Sequence, residues 1–169
     1  DKEYVIVGGL AVGSDACGHK GAMETGYTIA IMPCGLDMVV PSENTGLFLQ
    51  MIDNGSLAIS EYPIGHAPTK ASYVERDRLQ AGISDGLIVL ETSEDGGTMH
   101  AVRKATELHR PIGCLSPDIV EQTGNKMLIE QYGAVAINTQ EDIDAFIKSL
   151  PKREHSIKGS ILVEQSKLF

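Results

Sequence analysis

The amino-acid sequence predicts an α/β domain with a mostly parallel sheet, and three observations lead there. Short apolar runs rich in β-branched residues, at 4–7, 28–32 and 87–90, alternate with segments of roughly ten residues that carry a helical period. The runs that read as strands end in loops containing glycine or proline, at 8–13, 33–37, 60–73 and 91–98. No internal repeat or low-complexity block interrupts the alternation.

Residues 4–7 (YVIV) are too short and too β-branched for a helix and read as a buried strand. Gly8, Gly9 and Gly13 follow; glycine lets the backbone turn sharply and admits a ligand where a Cβ would block it. Ser14 or Asp15 can cap the next helix, whose free N–H groups point back at the loop, and Gly26 ends it. Strand, glycine turn and helix N-terminus together suit an anion, although the same residues also make a plain tight turn. The spacing is neither G-x-G-x-x-G nor G-x-x-x-x-G-K-[ST], so dinucleotide and Walker-type chemistry are not indicated. Residues 28–32 form a second strand. A helix starting at Pro41-Ser42 carries Leu47, Phe48, Met51 and Ile52 as its apolar stripe and stops at Asn54-Gly55.

Residues 57–59 are a short third strand, and 60–73, with two prolines and a glycine, read as a long loop. A helix over 76–83 leads to 87–90 (LIVL), the most apolar run and the expected central strand. Glu91 follows it directly, then a second glycine turn, Asp95-Gly96-Gly97-Thr98. The next helix is expected to bury Ala101, Val102, Ala105 and Leu108 and to carry Arg103, Lys104 and Arg110 outside. Strands at 111–115 and 134–137 flank a helix at 124–132. Thr139 to Asp142 is a capping-box start for a helix with Ile143, Phe146, Ile147 and Leu150 on one face, ending at Pro151. Residues 1–150 thus read as one domain. Residues 151–169 read as a tail: an edge strand, a partner contact or a disordered end.

A chain of 169 residues suits one well-packed core. Its formal net charge of −9 excludes a uniformly basic nucleic-acid surface but not a local basic cleft, because fields follow where charges sit. No apolar run approaches the roughly 18 residues of a membrane span, and the start, Asp1-Lys2-Glu3, is unlike a signal peptide. Cys17, Cys34 and Cys114 are far apart and show no metal or redox spacing, as expected of reduced thiols in the cytoplasm. No metal or cofactor is expected.

Several motifs in one order resemble the DNA-processing protein A (Smf) family over about residues 4–148. The segment 7–15 (VGGLAVGSD) resembles that family's S-G-x-A-x-G-x-D and is followed in register by His19-Lys20-Gly21-Ala22-Met23, like H-x-G-A-L. Residues 28–44 resemble T-I-A-V-x-x-x-G-x-D-x-x-Y-P-x-x-N, with Gly35, Asp37 and Asn44 at its glycine, aspartate and asparagine and Val40 at its tyrosine. Residues 60–68 resemble S-E-x-P-x-G-x-P, Arg76-Asp77-Arg78 stands where the family has R-N-R, and Gly124-Asn125 opens a G-x-N-x-L-I-like segment. The resemblance implies an extended Rossmann-like, three-layer domain that binds single-stranded DNA, works as a homodimer and loads a RecA-type recombinase during DNA uptake or recombination, without bond-making chemistry. Besides Val40, the chain departs from the pattern in four places. The family's earlier G-S-R loop is absent, Val12 replaces an arginine, Asp77 replaces the asparagine, and Asp95 stands in the later glycine turn.

In open parallel sheets ligands sit outside the carboxyl ends of the strands, so the four loops are expected to gather along one rim. There Gly8, Gly9, Gly13, Gly96, Gly97 and Thr98 would offer backbone, and Lys70, Arg76 and Arg78 charge, to phosphates. On an extended loop end the two arginines could flank one phosphate; on a helix they would not share a face. Asp15 and His19, four apart, form either a contact that fixes the loop or a catalytic pair, and the structural contact is the reading adopted. Glu61 and Glu91 end strands, where carboxylates accept from ribose hydroxyls or backbone amides. Glu91 with Gly96-Gly97-Thr98 partly resembles the P-G-G-x-G-T-x-x-E loop of Rossmann-type nucleoside-phosphate glycosidases, without its trailing glutamate. A nucleotide-binding or nucleotide-hydrolysing protein is therefore the alternative, and a reduced, dimeric family member without nucleic-acid function is a third reading.

Overall fold

A computed structural model describes residues 4–121 and 123–151. The described chain runs β1 (Ile6–Gly8), α1 (Ser14–Thr25), β2 (Thr28–Ile31), a 3-10 turn (Ser42–Asn44), α2 (Thr45–Asp53), β3 (Leu57–Ile59) and α3 (Lys70–Ile83). It continues β4 (Leu87–Val89), α4 (Thr98–Glu107), β5 (Ile112–Leu115), α5 (Thr123–Tyr132), β6 (Val135–Ile137) and α6 (Gln140–Ser149). This is the α/β, Rossmann-like alternation that the sequence predicts. No described helix is long and apolar enough to cross a membrane. The proposed tail lies outside the described residues from 152 onward.

Every ladder is parallel, but the described strands form two sheets of three, β1-β2-β3 and β4-β5-β6. The LIVL run is therefore not a central strand: β4 ends its sheet, and Ile88 and Leu90 are each 38% exposed while Val89 between them is 2% exposed. Each sheet has its own core. Leu10, Ala30, Met32, Cys34, Leu47, Phe48 and Met51 pack on the first, and Val89, Met99, Val102, Ala105, Cys114 and Leu128 on the second. α3 and α4 pack against one another, and Ala81 of α3 joins the second core, so the two halves are held together through helices.

Helix limits and buried faces differ from expectation at three places. The long loop ends at Thr69, because Thr69 and Ser72 form a reciprocal capping box that starts α3 at Lys70, six positions before Arg76. Ile52 is 45% exposed, so the buried stripe of α2 is Leu47, Phe48 and Met51. Leu108 caps the end of α4 and is 40% exposed, beyond the last buried turn. The helix read from Thr139 to Asp142 forms with the expected capping box and buries Phe146.

Candidate nucleic-acid interface

At the carboxyl end of β1 the backbone passes through 9–13 into α1, with Gly13 at φ 94 in the left-handed region that glycine tolerates. The preceding glycines make room. A Cβ at Gly8 would lie 3.0 Å from His19 Nε2, and one at Gly9 would lie 2.5 Å from the Arg76 guanidinium carbon. Asp15 turns back over this loop, its carboxylate accepting from the Gly9 amide at 2.8 Å and the Ala11 amide at 3.2 Å. Asn44 donates to the Leu10 carbonyl at 2.8 Å and ties the loop to the start of α2.

His19 is fully buried, and its Nδ1 lies 2.6 Å from Thr28 Oγ1. That hydroxyl donates to the Ile6 carbonyl, so Nδ1 carries the imidazole hydrogen and Nε2 faces Gly8 as a lone pair with no partner among the described residues. Burial pulls the His19 pKa down, against the upward pull of Asp15. Asp15 and His19 thus brace the turn by separate bonds, one to amides and one to β2.

The basic residues expected on a loop sit on α3 instead. Lys70 is its exposed first residue. Arg76 donates through Nη1 to the Gly9 carbonyl at 2.9 Å, and through Nη2 and Nε to Asp77 Oδ1 at 3.3 and 3.4 Å. Its guanidinium carbon lies 5.3 Å from the Tyr73 ring centre, and its side chain is 12% exposed. Arg78 pairs with Glu61 on the surface. The two arginines therefore face different partners, as helical spacing requires. Burial pushes the Asp77 carboxyl above its ordinary value, and Arg76 and His100 of α4 oppose that shift.

Two further loops are laced together beyond β2 and β3. Ser60 donates to the Cys34 carbonyl at 2.6 Å, the Gly35 amide donates to the His66 carbonyl at 3.0 Å, and Asp37 accepts from the Gly65 amide at 3.0 Å. A Cβ at Gly35 would lie 2.5 Å from the Pro63 carbonyl oxygen and from Asp37, so only glycine fits there. Tyr62 stacks on His66 with ring centres 4.4 Å apart and donates to Glu75, a bond that pushes its pKa up to about 12. Burial pushes the Cys34 thiol up, with Asp37 adding to the rise and Arg76 opposing it.

After β4, Glu91 is exposed and the chain reaches the glycine turn, where a Cβ on Gly96 would meet Thr92 Oγ1 at 2.7 Å. Gly97 has open space around it, and exposed Thr98 begins α4. The clamp beneath this turn is Asn125, a residue the sequence reading attached to no site. Fully buried, it accepts from the Thr92 amide at 2.9 Å and donates to the Leu90 and Leu115 carbonyls at 3.0 and 2.9 Å. The signal for it was a polar residue in the buried register of a helix.

The structure thus brings Gly9, Arg76 and Asp77 into contact, with Asp15 above and His100 acting from α4, two residues after Thr98. It does not bring Lys70 or Arg78 onto the Arg76 guanidinium. No group of His, Cys, Asp and Glu able to hold a metal occurs among the described residues. What the arrangement holds chemically is backbone amides and a guanidinium at the carboxyl end of a parallel sheet, engaged by Asp15 and Asp77.

A family model described as DNA recombination-mediator protein A matches residues 1–148. Protein Smf of Synechocystis is 34% identical over 162 residues, covering 94% of this chain and 40% of that protein. DNA processing protein DprA of Streptococcus pneumoniae is 34% identical over 146 residues, covering 85% of this chain and 51% of that one. The X-ray structure of S. pneumoniae DprA superposes with a TM-score of 0.78 at 30% identity, covering 90% of this chain and 53% of the other. A Helicobacter pylori DprA structure, whose subject is its single-stranded DNA binding mode, also scores 0.78 at 30% identity, covering 87% and 67%. The chain therefore spans about half the length of the curated relatives it matches. Residues 1–148 carry the pattern, and the chain belongs to the DNA recombination-mediator protein A (DprA/Smf) family.

Proposed function

We propose that this chain is the Rossmann-like part of a DNA-processing protein that holds single-stranded DNA by its phosphates and assists its loading onto a RecA-type recombinase during DNA uptake or recombination. It acts in the cytoplasm, as a homodimer, and makes and breaks no bonds. The observation that carries the reading is the contact between the turn after β1 and α3, where the Gly9 backbone and the Arg76 guanidinium meet at the carboxyl end of a parallel sheet. In a family whose H. pylori member is described by its single-stranded DNA binding, that edge is the natural seat for a phosphate backbone. Gly8, Gly9 and Gly13 form the first wall, and Gly96, Gly97 and Thr98 the second. Lys70, exposed, and Arg78, exposed in its surface pair with Glu61, supply charge at the rim. The nucleotide-hydrolysing alternative is not favoured, because the family is one of recombination mediators.

Fluorescence anisotropy with labelled oligo-dT tests this. The two exposed cations at the rim, Lys70 and Arg78, give a slope of log K against log salt of about −1.4, at roughly −0.7 per phosphate for single strands. Arg78→Ala and Lys70→Ala are each expected to flatten that slope by about 0.7 while leaving the thermal midpoint unchanged. Absence of binding at low salt, in the folded protein, rejects the reading.

A further inference from the structure

The two features of this edge best suited to a phosphate are each occupied by a carboxylate of the chain itself. Asp15 sits on the Gly9 and Ala11 amides, and Asp77 sits on the guanidinium of Arg76. The two occupants are not equivalent. Asp15 makes a bond of 2.8 Å that closes the loop. Asp77 reaches Arg76 only at 3.3 and 3.4 Å, longer than the roughly 2.7–2.9 Å of a well-made charge-assisted bond. Asp77 is nevertheless 8% exposed, a poorly solvated carboxylate held by a loose pair.

We propose that Asp77 is an internal competitor for phosphate: it neutralises Arg76 from within the fold and thereby sets the affinity of this edge for anions. The inference rests on the phosphate-binding reading above and adds the residue that limits it. Three of the five guanidinium hydrogens are engaged, one by the Gly9 carbonyl and two by Asp77 Oδ1. An anion arriving beside Gly9 meets an Arg76 whose charge is cancelled, and it is repelled by the carboxylate that cancels it. Asp77→Asn keeps the shape and an oxygen that accepts from Arg76, but removes the negative charge. The groups facing Asp77 are Arg76 on its own helix, His100 on α4 and Asp15 on α1. Acidification neutralises Asp77 ahead of an ordinary aspartate and is expected to strengthen anion binding in the wild type more than in the variant.

The test compares wild type, Asp77→Asn and Glu107→Gln, the last changing net charge equally at an exposed residue paired with Lys104. The probes are oligo-dT, by anisotropy, and tripolyphosphate, by titration calorimetry, at one low salt concentration. Asp77→Asn is expected to tighten both by about tenfold and Glu107→Gln by less than about twofold. Tightening for tripolyphosphate with no oligo-dT binding by any protein supports the inference and rejects the DNA reading. Oligo-dT binding that Asp77→Asn leaves unchanged overturns the inference and keeps the DNA reading, and no response to either probe overturns both. If Asp77→Asn lowers the thermal midpoint, Asp77→Ser is read in its place. If both unfold, the pair is structural and the inference is overturned.

Discussion

Asn125 shows what a single side chain does in this fold. Its amide meets the Thr92 amide and the Leu90 and Leu115 carbonyls, fastening the ends of β4 and β5 to α5. Asn125→Ala strands those backbone groups in the interior, and at about 1–3 kcal/mol for each unsatisfied group the loss in urea unfolding is expected to be about 3 kcal/mol or more. Its neighbour Gly124 reverses an ordinary rule. Alanine normally favours a helix over glycine by about 1 kcal/mol, yet here a Cβ would stand 2.3 Å from the Thr92 carbonyl oxygen, and Gly124→Ala is expected to destabilise. His19 makes stability depend on pH. Its folded pKa lies below the ordinary value, so from 6.5 downward the unfolded chain binds a proton that the native state refuses. Stability from this group is intact above 6.5 and falls as pH drops towards the folded pKa. His19→Asn is expected to flatten the unfolding free energy between pH 7.5 and 5.5 relative to the wild type.

Among the elements, α3 and α6 start by the same device, and their legibility differed for a chemical reason. Thr139 with Asp142 places a carboxylate at the third helical position, and that pattern is read directly from sequence. The Asp142 carboxyl lies below its ordinary value because the Asn138 and Thr139 amides donate to it. In α3 the same position holds Ser72, whose hydroxyl takes the Thr69 amide at 2.8 Å, and serine there is no distinctive signal. The first turn of α3, Lys70 included, therefore carries no helical start signal in the sequence. Thr69→Ala is expected to cost about 1 kcal/mol, measured by chemical denaturation, and to expose 70–75 to proteolysis ahead of the rest of α3.

At the scale of the molecule, the described residues form two sheets with two cores, joined by the α3–α4 packing and the Arg76–Gly9 bond. Cys34 lies buried in one core, Cys114 in the other, and Cys17 is exposed. One thiol of three is therefore expected to react with an aromatic disulfide reagent in the native protein. Because α3 contributes Ala81 to the second core while holding Gly9 beside the first, Cys34 and Cys114 are expected to become reactive at the same urea concentration. Separate midpoints would show two independently unfolding halves.

The alternation of strands and helices, the glycine turns, the capping box of α6 and the family are legible in the amino-acid order alone. All of these are written in residues close together along the chain, where period, turn chemistry and motif spacing act. Packing in three dimensions was needed to show that the described strands divide into two sheets, that Arg76 closes on Gly9, and that Asp15 and Asp77 take the Gly9 amide and the Arg76 guanidinium. Gly9 and Arg76 stand 67 positions apart. Whether such residues meet depends on how helices pack over sheets, a balance of burial and close contact that no local pattern encodes.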